Sequence, residues 1–349
     1  MTYTYERVTT PSTGLRLHLN ENTAGPSPKV VAALQTLGRE QLAFYPAYGD
    51  AVAACATRLD VDPGELLLTN GLDEGILAAA VAAARDRTIA DPEALVVVPA
   101  FDMYAACADA SGLRVIESPS DPDFAVPRRR VLDALSGRTR VVFLTTPGNP
   151  AGGCIARDDI LAVAKAAPHA LVFVDEAYAD FTGSTLLDEP AARALPNVVI
   201  GRTFAKAYGL AALRVGAIVG APDTLAPLGR VIPPYSLNVC AAVALRAALE
   251  DTAYHAWYVE QVRESRALLQ AALERLGVRC WPSEANFVLA DFGSDARRVV
   301  DGLAALGIHV RDRSRDPACP GCVRITAGVV EHTRACIGAL ERVLCGAGS

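Results

Sequence analysis

The sequence predicts an α/β protein with a large domain, built on a mostly parallel sheet flanked by helices, and a smaller α+β domain. Short apolar runs rich in β-branched residues alternate with helical stretches from about residue 66 to 220, as strands joined by crossover helices do. The chain has 349 residues, of which 51% are hydrophobic. It is therefore long enough to bury one large core and a second, smaller one.

The elements of the large domain follow from these runs in order. Strands are predicted at 66–69, 95–98, 140–145, 171–175, 198–201 and 215–220. Helices are predicted at 73–85, 102–111 and 158–166, each opening on an aspartate that suits a helix start. Parallel strands require such crossovers, so the helices support the parallel sheet.

The second unit begins after a long helix expected from about Val239 to Leu276. A strand at 286–291, a helix at 296–306, strands at 308–312 and 323–326 and a last helix at 331–344 follow. We assign residues 39–246 to the large domain, and residues 1–38 and 247–349 to an N-terminal arm and the small domain. No flexible linker separates the two, so we expect a shared interface, where active sites are often found.

Charge and composition narrow the function. A net charge of −6 argues against a nucleic-acid partner, which would require surplus Lys and Arg. The segment MTYTYERVTT lacks the apolar core of a signal peptide, and no run approaches the ~20 apolar residues of a membrane span. Nine cysteines without repeated spacing suggest reduced thiols and a cytoplasmic protein. Cys319 and Cys322 lack a second ligand pair, so no metal site is predicted.

Polar and aromatic side chains follow the predicted strands, where ligands bind in open α/β sheets. The turn at Gly71 opens a helix whose N–H groups suit a phosphate. Each residue alone has a structural alternative as a turn, cap, core or surface residue, but the set suggests an active site with an amine nucleophile. Its members are Leu72, Asp73, Phe101, Asn149, Asp175, Tyr178, Thr203, Lys206 and Arg214.

Taken together, these motifs resemble the fold-type I aminotransferases, and within them the histidinol-phosphate aminotransferase group. The likeness runs from about Leu17 to Leu344, with matching order and spacing. It implies the aspartate-aminotransferase fold. The stretches that carry it are LHLNENTAGPSP, FYP, PAFDMY, TTPGNPAGG, VDEAYADF, RTFAKAYGLAALRVG, ANFVL and VRITAG.

The resemblance implies pyridoxal 5'-phosphate as the cofactor, with a role for each residue around it. Lys206 forms the Schiff base and then shuttles a proton at the substrate carbon. Asp175 pairs with the pyridine nitrogen. Asn149 and Tyr178 contact the phenolic oxygen, and Phe101 stacks on the ring.

The same resemblance places the cofactor's phosphate against the N–H groups of Leu72 and Asp73, Thr203 and Arg214. Tyr45 reaches this phosphate from a second subunit in the family, which implies a homodimer. No metal enters this scheme.

The substrates implied by the resemblance are a small amino donor and a 2-oxo acid. Arg324 takes their acidic group, with Asn149, Asn22 and Arg311 as further substrate contacts. The expected reaction, a step of histidine biosynthesis, converts L-histidinol phosphate and 2-oxoglutarate to imidazole acetol phosphate and L-glutamate.

Departures from the family pattern leave alternatives open. Ala205 replaces a common serine, and Thr23 and Ala24 are small where many relatives carry an aromatic residue. An aromatic-amino-acid transaminase, or a decarboxylase or cyclase on the same fold, would share Lys206 and Arg324. A cofactor-sensing transcription factor would carry a DNA-binding domain, for which we expect no room because the match begins near Leu17.

Overall fold

A computed structural model describes residues 10–85 and 89–346; the ends of the predicted arm and small domain, 1–9 and 347–349, lie outside them. The strands are β1 (Leu15–Leu17), β2 (Leu66–Thr69), β3 (Glu93–Val98), β4 (Arg114–Pro119), β5 (Thr139–Thr145), β6 (Leu171–Asp175), β7 (Val198–Thr203), β8 (Gly216–Gly220), β9 (Arg279–Cys280), β10 (Phe287–Asp291), β11 (Ile308–Asp312) and β12 (Cys322–Thr326).

The α-helices include the three predicted crossovers, each within two residues of its expected bounds. They are α1 (Pro28–Gln35), α2 (Arg39–Ala43), α3 (Gly49–Leu59), α4 (Leu72–Ala84), α5 (Met103–Ala110), α6 (Arg128–Ala134), α7 (Arg157–Ala166), α8 (Pro190–Arg193), α9 (Pro222–Gly229), α10 (Val239–Glu250), α11 (Thr252–Arg275), α12 (Ala296–Ala305) and α13 (Val330–Cys345).

Seven strands form the main sheet, in the order β2-β8-β7-β6-β5-β3-β4. Strands β4, β3, β5, β6 and β7 run parallel, whereas β8 is antiparallel to both β7 and β2. This confirms the predicted mostly parallel sheet. It also places the ends of β5, β6 and β7 at one edge, where Thr145 lies opposite Asp175 and Asp175 opposite Gly201.

Helices cover both faces of this sheet because its strands are apolar on both sides. Val142 and Leu144 of β5 face one core, while Val141 and Phe143 face the other. Side chains alternate across a strand, so a continuous apolar run has to be buried on both faces.

A second sheet of five strands has the order β1-β11-β12-β10-β9. Strand β1, in the predicted N-terminal arm, runs parallel to β11, and the other pairs are antiparallel. Helices α11, α12 and α13 pack against this sheet around a third core that includes Leu17, Leu269 and Val288. The division at residues 39 and 246 stays a prediction.

The single long helix expected from Val239 to Leu276 is wrong. Asp251 leaves helical geometry, with φ −95° and ψ 65°, and separates α10 from α11. Its carboxylate accepts a hydrogen bond from Ser27 and pairs with Lys29 at 3.2 Å. A contact with the start of α1 therefore interrupts the helix.

Further findings concern disulfides, membrane-spanning helices and metal sites. All nine cysteines are free. Within the described ranges, no helix combines the length and apolarity needed to cross a bilayer, and no cluster of three or more His, Cys, Asp or Glu could hold a metal ion.

Candidate active site

A cavity of about 490 Å³ lies at the edge of the main sheet where β5, β6 and β7 end, and residues of β11 and β12 close its other side. Most of the side chains singled out from the sequence line it together. They are Leu72, Asp73, Phe101, Asn149, Asp175, Tyr178, Thr203, Lys206, Arg214, Arg311 and Arg324.

Lys206 follows β7 and is half-buried at the floor of the cavity. Its Nζ donates a hydrogen bond to the carbonyl of Leu19, at 3.0 Å, and lies 6.0 Å from the centre of the Tyr178 ring. Asn20 donates from its amide to the Tyr178 hydroxyl at 3.0 Å. The segment after β1 therefore contacts both the amine and the phenol.

Asp175, at the end of β6, is buried and accepts two hydrogen bonds. Tyr104 donates to its Oδ2 at 2.6 Å, and the Ala177 N–H donates to its Oδ1 at 2.8 Å. Burial raises the pKa of this carboxyl to about 6, although both hydrogen bonds and the charge of Lys206 oppose the rise. Asp175 is thus a carboxylate at neutral pH with an unusually strong tendency to accept a proton.

Tyr104 was not singled out from the sequence. It is fully buried, and its hydroxyl also accepts a hydrogen bond from Thr145 at 2.9 Å. Its ring meets that of Phe101 edge to face, at 5.8 Å between centres. Its position three residues after Phe101, at the start of α5, is the signal that could have found it, because residues three apart share a helix face.

Arg324 of β12 reaches across the cavity to the main sheet. Its Nη1 donates to Asn149 Oδ1 at 2.6 Å, and its Nη2 donates to the His18 carbonyl at 2.9 Å. Burial lowers the pKa of this guanidinium to about 10, so it stays charged at neutral pH. A cation thus faces Lys206 and Asp175 from the second sheet.

The N-terminus of α4 forms a further part of the cavity wall. Gly71 precedes it with φ +74°, and a Cβ there would lie 2.5 Å from Arg214 Nη2. Arg214 pairs with Asp73 at 2.6 Å, and the Thr203 hydroxyl accepts from the Ala205 N–H at 3.2 Å. A guanidinium, a hydroxyl and the positive end of a helix together suit a phosphate group.

Two of the named residues lie elsewhere. The Asn22 side chain donates to the Ala207 carbonyl at 3.0 Å and accepts from the Ala24 N–H at 2.9 Å, so it fixes the arm rather than lining the cavity. Tyr45 is 79% exposed and stacks on Tyr235, with ring centres 4.3 Å apart. Within one chain it does not reach the cavity.

A buried ion cluster lies directly behind the site. Arg202 pairs with Glu176 at 3.2 Å and with Asp180 at 3.1 Å, and His255 contacts Asp180 at 3.2 Å. Burial opposes ionisation of Asp180, yet the charge of Arg202 holds its pKa well below the usual range. Glu176 adjoins Asp175 in the chain, so the cluster fixes the end of β6 to β7.

Comparison with known proteins identifies relatives over nearly the whole chain. The family model for aminotransferase class I and II matches residues 12–338. A histidinol-phosphate aminotransferase of Symbiobacterium thermophilum is 35% identical, over 95% of this chain and 90% of its own length.

Solved structures share the fold. A Sinorhizobium meliloti histidinol-phosphate aminotransferase in complex with pyridoxal-5'-phosphate is 26% identical, with a TM-score of 0.84 over 96% of this chain and 92% of that one. An aspartate aminotransferase of Thermus thermophilus, with maleate, is 22% identical, with a TM-score of 0.78 over 95% and 92%. The expected aspartate-aminotransferase fold is thereby confirmed.

Proposed function

The chain belongs to the class I and II aminotransferases, and from that premise we propose that it is a pyridoxal-phosphate-dependent transaminase acting on L-histidinol phosphate and 2-oxoglutarate. Its products would be imidazole acetol phosphate and L-glutamate. The observation that carries the proposal is that Lys206, Asp175 and Arg324 line one cavity. The names of the relatives support the choice of donor.

The residues present fit the cofactor. A primary amine, a buried carboxylate and an anion-binding wall around Arg214 match its aldehyde, its pyridine nitrogen and its phosphate. The missing Cβ of Gly71 leaves space beside Arg214, as a close approach of backbone to a phosphate requires. Leu72, Asp73 and Thr203 would complete that wall.

When bound, pyridoxal phosphate supplies an electron sink for the negative charge that develops at the substrate's α-carbon. Asp175 would keep a proton on the pyridine nitrogen, and its buried carboxylate, whose pKa burial raises to about 6, suits that task. Phe101 would stack on the ring, while Asn149 and Tyr178 would hold the phenolic oxygen through amide and hydroxyl donors.

Lys206 would hold the cofactor and then move the proton. Its amine would take a proton from the substrate's α-carbon as a general base and later release that proton as a general acid. The hydrogen bond to the Leu19 carbonyl orients the amine from the arm. This task requires a primary amine, so arginine should not replace it.

Arg324 would bind the substrate's acidic group, with Arg311 nearby on β11. A substrate carboxylate or phosphate that accepts a hydrogen bond from Arg324 Nη1 would replace Asn149 Oδ1 as the acceptor. The Asn149 amide would then be available to the cofactor's phenolic oxygen. Asn22 would act indirectly, by holding the arm.

We also propose a homodimer in which Tyr45 contacts the cofactor's phosphate of the partner subunit. Its large exposure, together with that of Phe44 and Leu42, supports a buried role in an assembly. A cytoplasmic location is supported by the nine free thiols. The proposed large domain consists of residues 39–246, and the arm and small domain consist of residues 1–38 and 247–349.

The decisive test is a half-reaction with each amino donor. Protein loaded with pyridoxal phosphate is mixed separately with L-histidinol phosphate, L-glutamate and L-phenylalanine, and loss of the cofactor's visible absorbance is followed while mass spectrometry identifies products. We expect keto products from the first two. Lys206→Ala should be inactive, and Lys165→Ala, on the exposed face of α7, serves as its control.

Other results would redirect the assignment. Reaction with phenylalanine alone would favour an aromatic-amino-acid transaminase. Release of carbon dioxide, or loss of absorbance without a keto product, would favour a decarboxylase or cyclase.

A further inference from the structure

A third arginine, Arg313, points into the cavity but has no part in the function proposed above. It follows β11, and its N–H donates to the Cys322 carbonyl at 2.9 Å, which continues the strand pairing. Residues two apart on a strand share a face, so Arg313 lies on the same side as Arg311. Arg311 is in turn the register partner of Arg324. All three line the cavity.

The hydrogen bonding of Arg313 is incomplete in a way that points to a ligand. Only 5% of the residue is exposed, and its guanidinium is in ionic contact with Asp316. Among the described residues, however, Arg313 Nε has no hydrogen-bond partner, and Arg324 Nε also lacks one. Buried donors are rarely left without an acceptor, so the two arginines call for further acceptor oxygens.

The Asp316 carboxylate is costly to keep charged at its buried position, even beside Arg313. Burial raises the pKa of its carboxyl to about 6, and the nearby Asp102 carboxylate adds to the effect, against the charge of Arg313. A dianion with more oxygens than a carboxylate would form more charge-assisted hydrogen bonds with the same guanidinium groups. Guanidinium forks bind phosphate with paired hydrogen bonds, and a phosphate ester offers three terminal oxygens where a carboxylate offers two.

We propose that Arg313 determines specificity by binding the phosphate ester of the amino donor together with Arg324, and that the phosphate replaces Asp316 as its partner. This inference rests on the proposed function and narrows it to donors that carry a dianionic group away from the amine. Arg313 touches the substrate but takes no part in proton transfer.

The test uses two substrates that differ only in the phosphate. Half-reaction rates of the loaded enzyme are measured with L-histidinol phosphate and L-histidinol for the natural protein, Arg313→Met and Arg313→Lys. Loss of a charge-assisted bond should lower kcat/KM for the ester about 10- to 100-fold, mainly through KM. The value for L-histidinol should change less than about twofold, and Arg313→Lys should fall between. Equal losses with both substrates, or no loss, would overturn the proposal.

A second variant has the opposite expected effect, which misfolding cannot imitate. Asp316→Asn removes the competing charge, so the KM for the ester should fall several-fold. A KM that rises as in Arg313→Met would refute the exchange of partners.

Failure of the proposed function is separable from failure of this inference. If the natural enzyme does not turn over L-histidinol phosphate, inorganic phosphate is titrated calorimetrically into the loaded enzyme. Binding at least tenfold weaker in Arg313→Met than in the natural protein supports the anion site. Equal affinities reject it, whatever the donor is.

Discussion

Replacing Asp175 by asparagine should make the cofactor-free protein more stable above pH 6 while abolishing its activity. The carboxylate is buried at the end of β6 and accepts two hydrogen bonds, and among the residues that the structure describes no cation forms an ion pair with it. Asparagine has nearly the same shape. It keeps an acceptor for the Ala177 N–H, and its amide can donate to the Tyr104 oxygen.

The magnitude follows from the pKa of Asp175, which burial raises from 3.8 to about 6. One pKa unit corresponds to about 1.4 kcal/mol, so ionisation in the folded state lowers the free energy of unfolding by about 3 kcal/mol. Below pH 3.8 the carboxyl is protonated in both states and costs nothing. Stability therefore falls as pH rises from about 4 to 6, and the asparagine variant escapes this loss.

The measurement is urea unfolding of both proteins, dialysed free of pyridoxal phosphate, at a fixed protein concentration from pH 4.5 to 8. The stability advantage of Asp175→Asn should grow to at most about 3 kcal/mol by pH 7 and shrink towards pH 4.5. A variant that is equally stable at pH 8, or less stable at every pH, would show that ionisation of Asp175 does not destabilise the fold. Adding pyridoxal phosphate should reverse the order, since only Asp175 can pair with the ring nitrogen.

Three other substitutions test the surroundings of the site. Tyr104→Phe removes a charge-assisted hydrogen bond of about 1.5–3 kcal/mol and so raises the pKa of Asp175 further. The pH at which kcat/KM rises should therefore shift upwards, and an unchanged pH profile would contradict this prediction. Ala205→Ser supplies a hydroxyl and should tighten cofactor binding about 2- to 10-fold in an absorbance titration. Weaker binding by this variant would contradict the prediction. Arg202→Ala removes the arginine that two buried carboxylates share and should cost about 3–5 kcal/mol in urea unfolding. Arg297→Ala, in an exposed pair, should cost under about 0.5 kcal/mol.

The predicted strands were most accurate where local composition decides the structure. The apolar runs that became β2 and β6 have the predicted bounds, because both faces of the sheet are buried. Strand β4 was not predicted. It lies at the sheet edge, and its sequence RVIESP alternates exposed and buried positions too weakly to stand out.

Predictions from the sequence were wrong or missing where the structure depends on contacts between residues far apart in the chain. No local signal in the chain marks the break at Asp251, since its partner Ser27 is 224 residues away. The contact of Tyr104 with Asp175 likewise depends on how α5 packs against α4 and the main sheet. The order and spacing of the motifs predicted that Lys206, Asp175 and Arg324 share one site, but they could not reveal which hydrogen bonds these residues make there.

The pairing of β1 with β11 has a consequence for synthesis of the protein. Asn20 and Thr326, 306 residues apart, are hydrogen-bonded beside the cavity, and Lys206 contacts the same early segment. A chain growing on the ribosome can form the main sheet first, but the site also needs two segments that lie 306 residues apart in the sequence. Such high contact order slows the final step. Activity should thus appear only once residues 322–326 have left the ribosome, and a chaperone would have its longest opportunity to bind in the interval after the main sheet has formed.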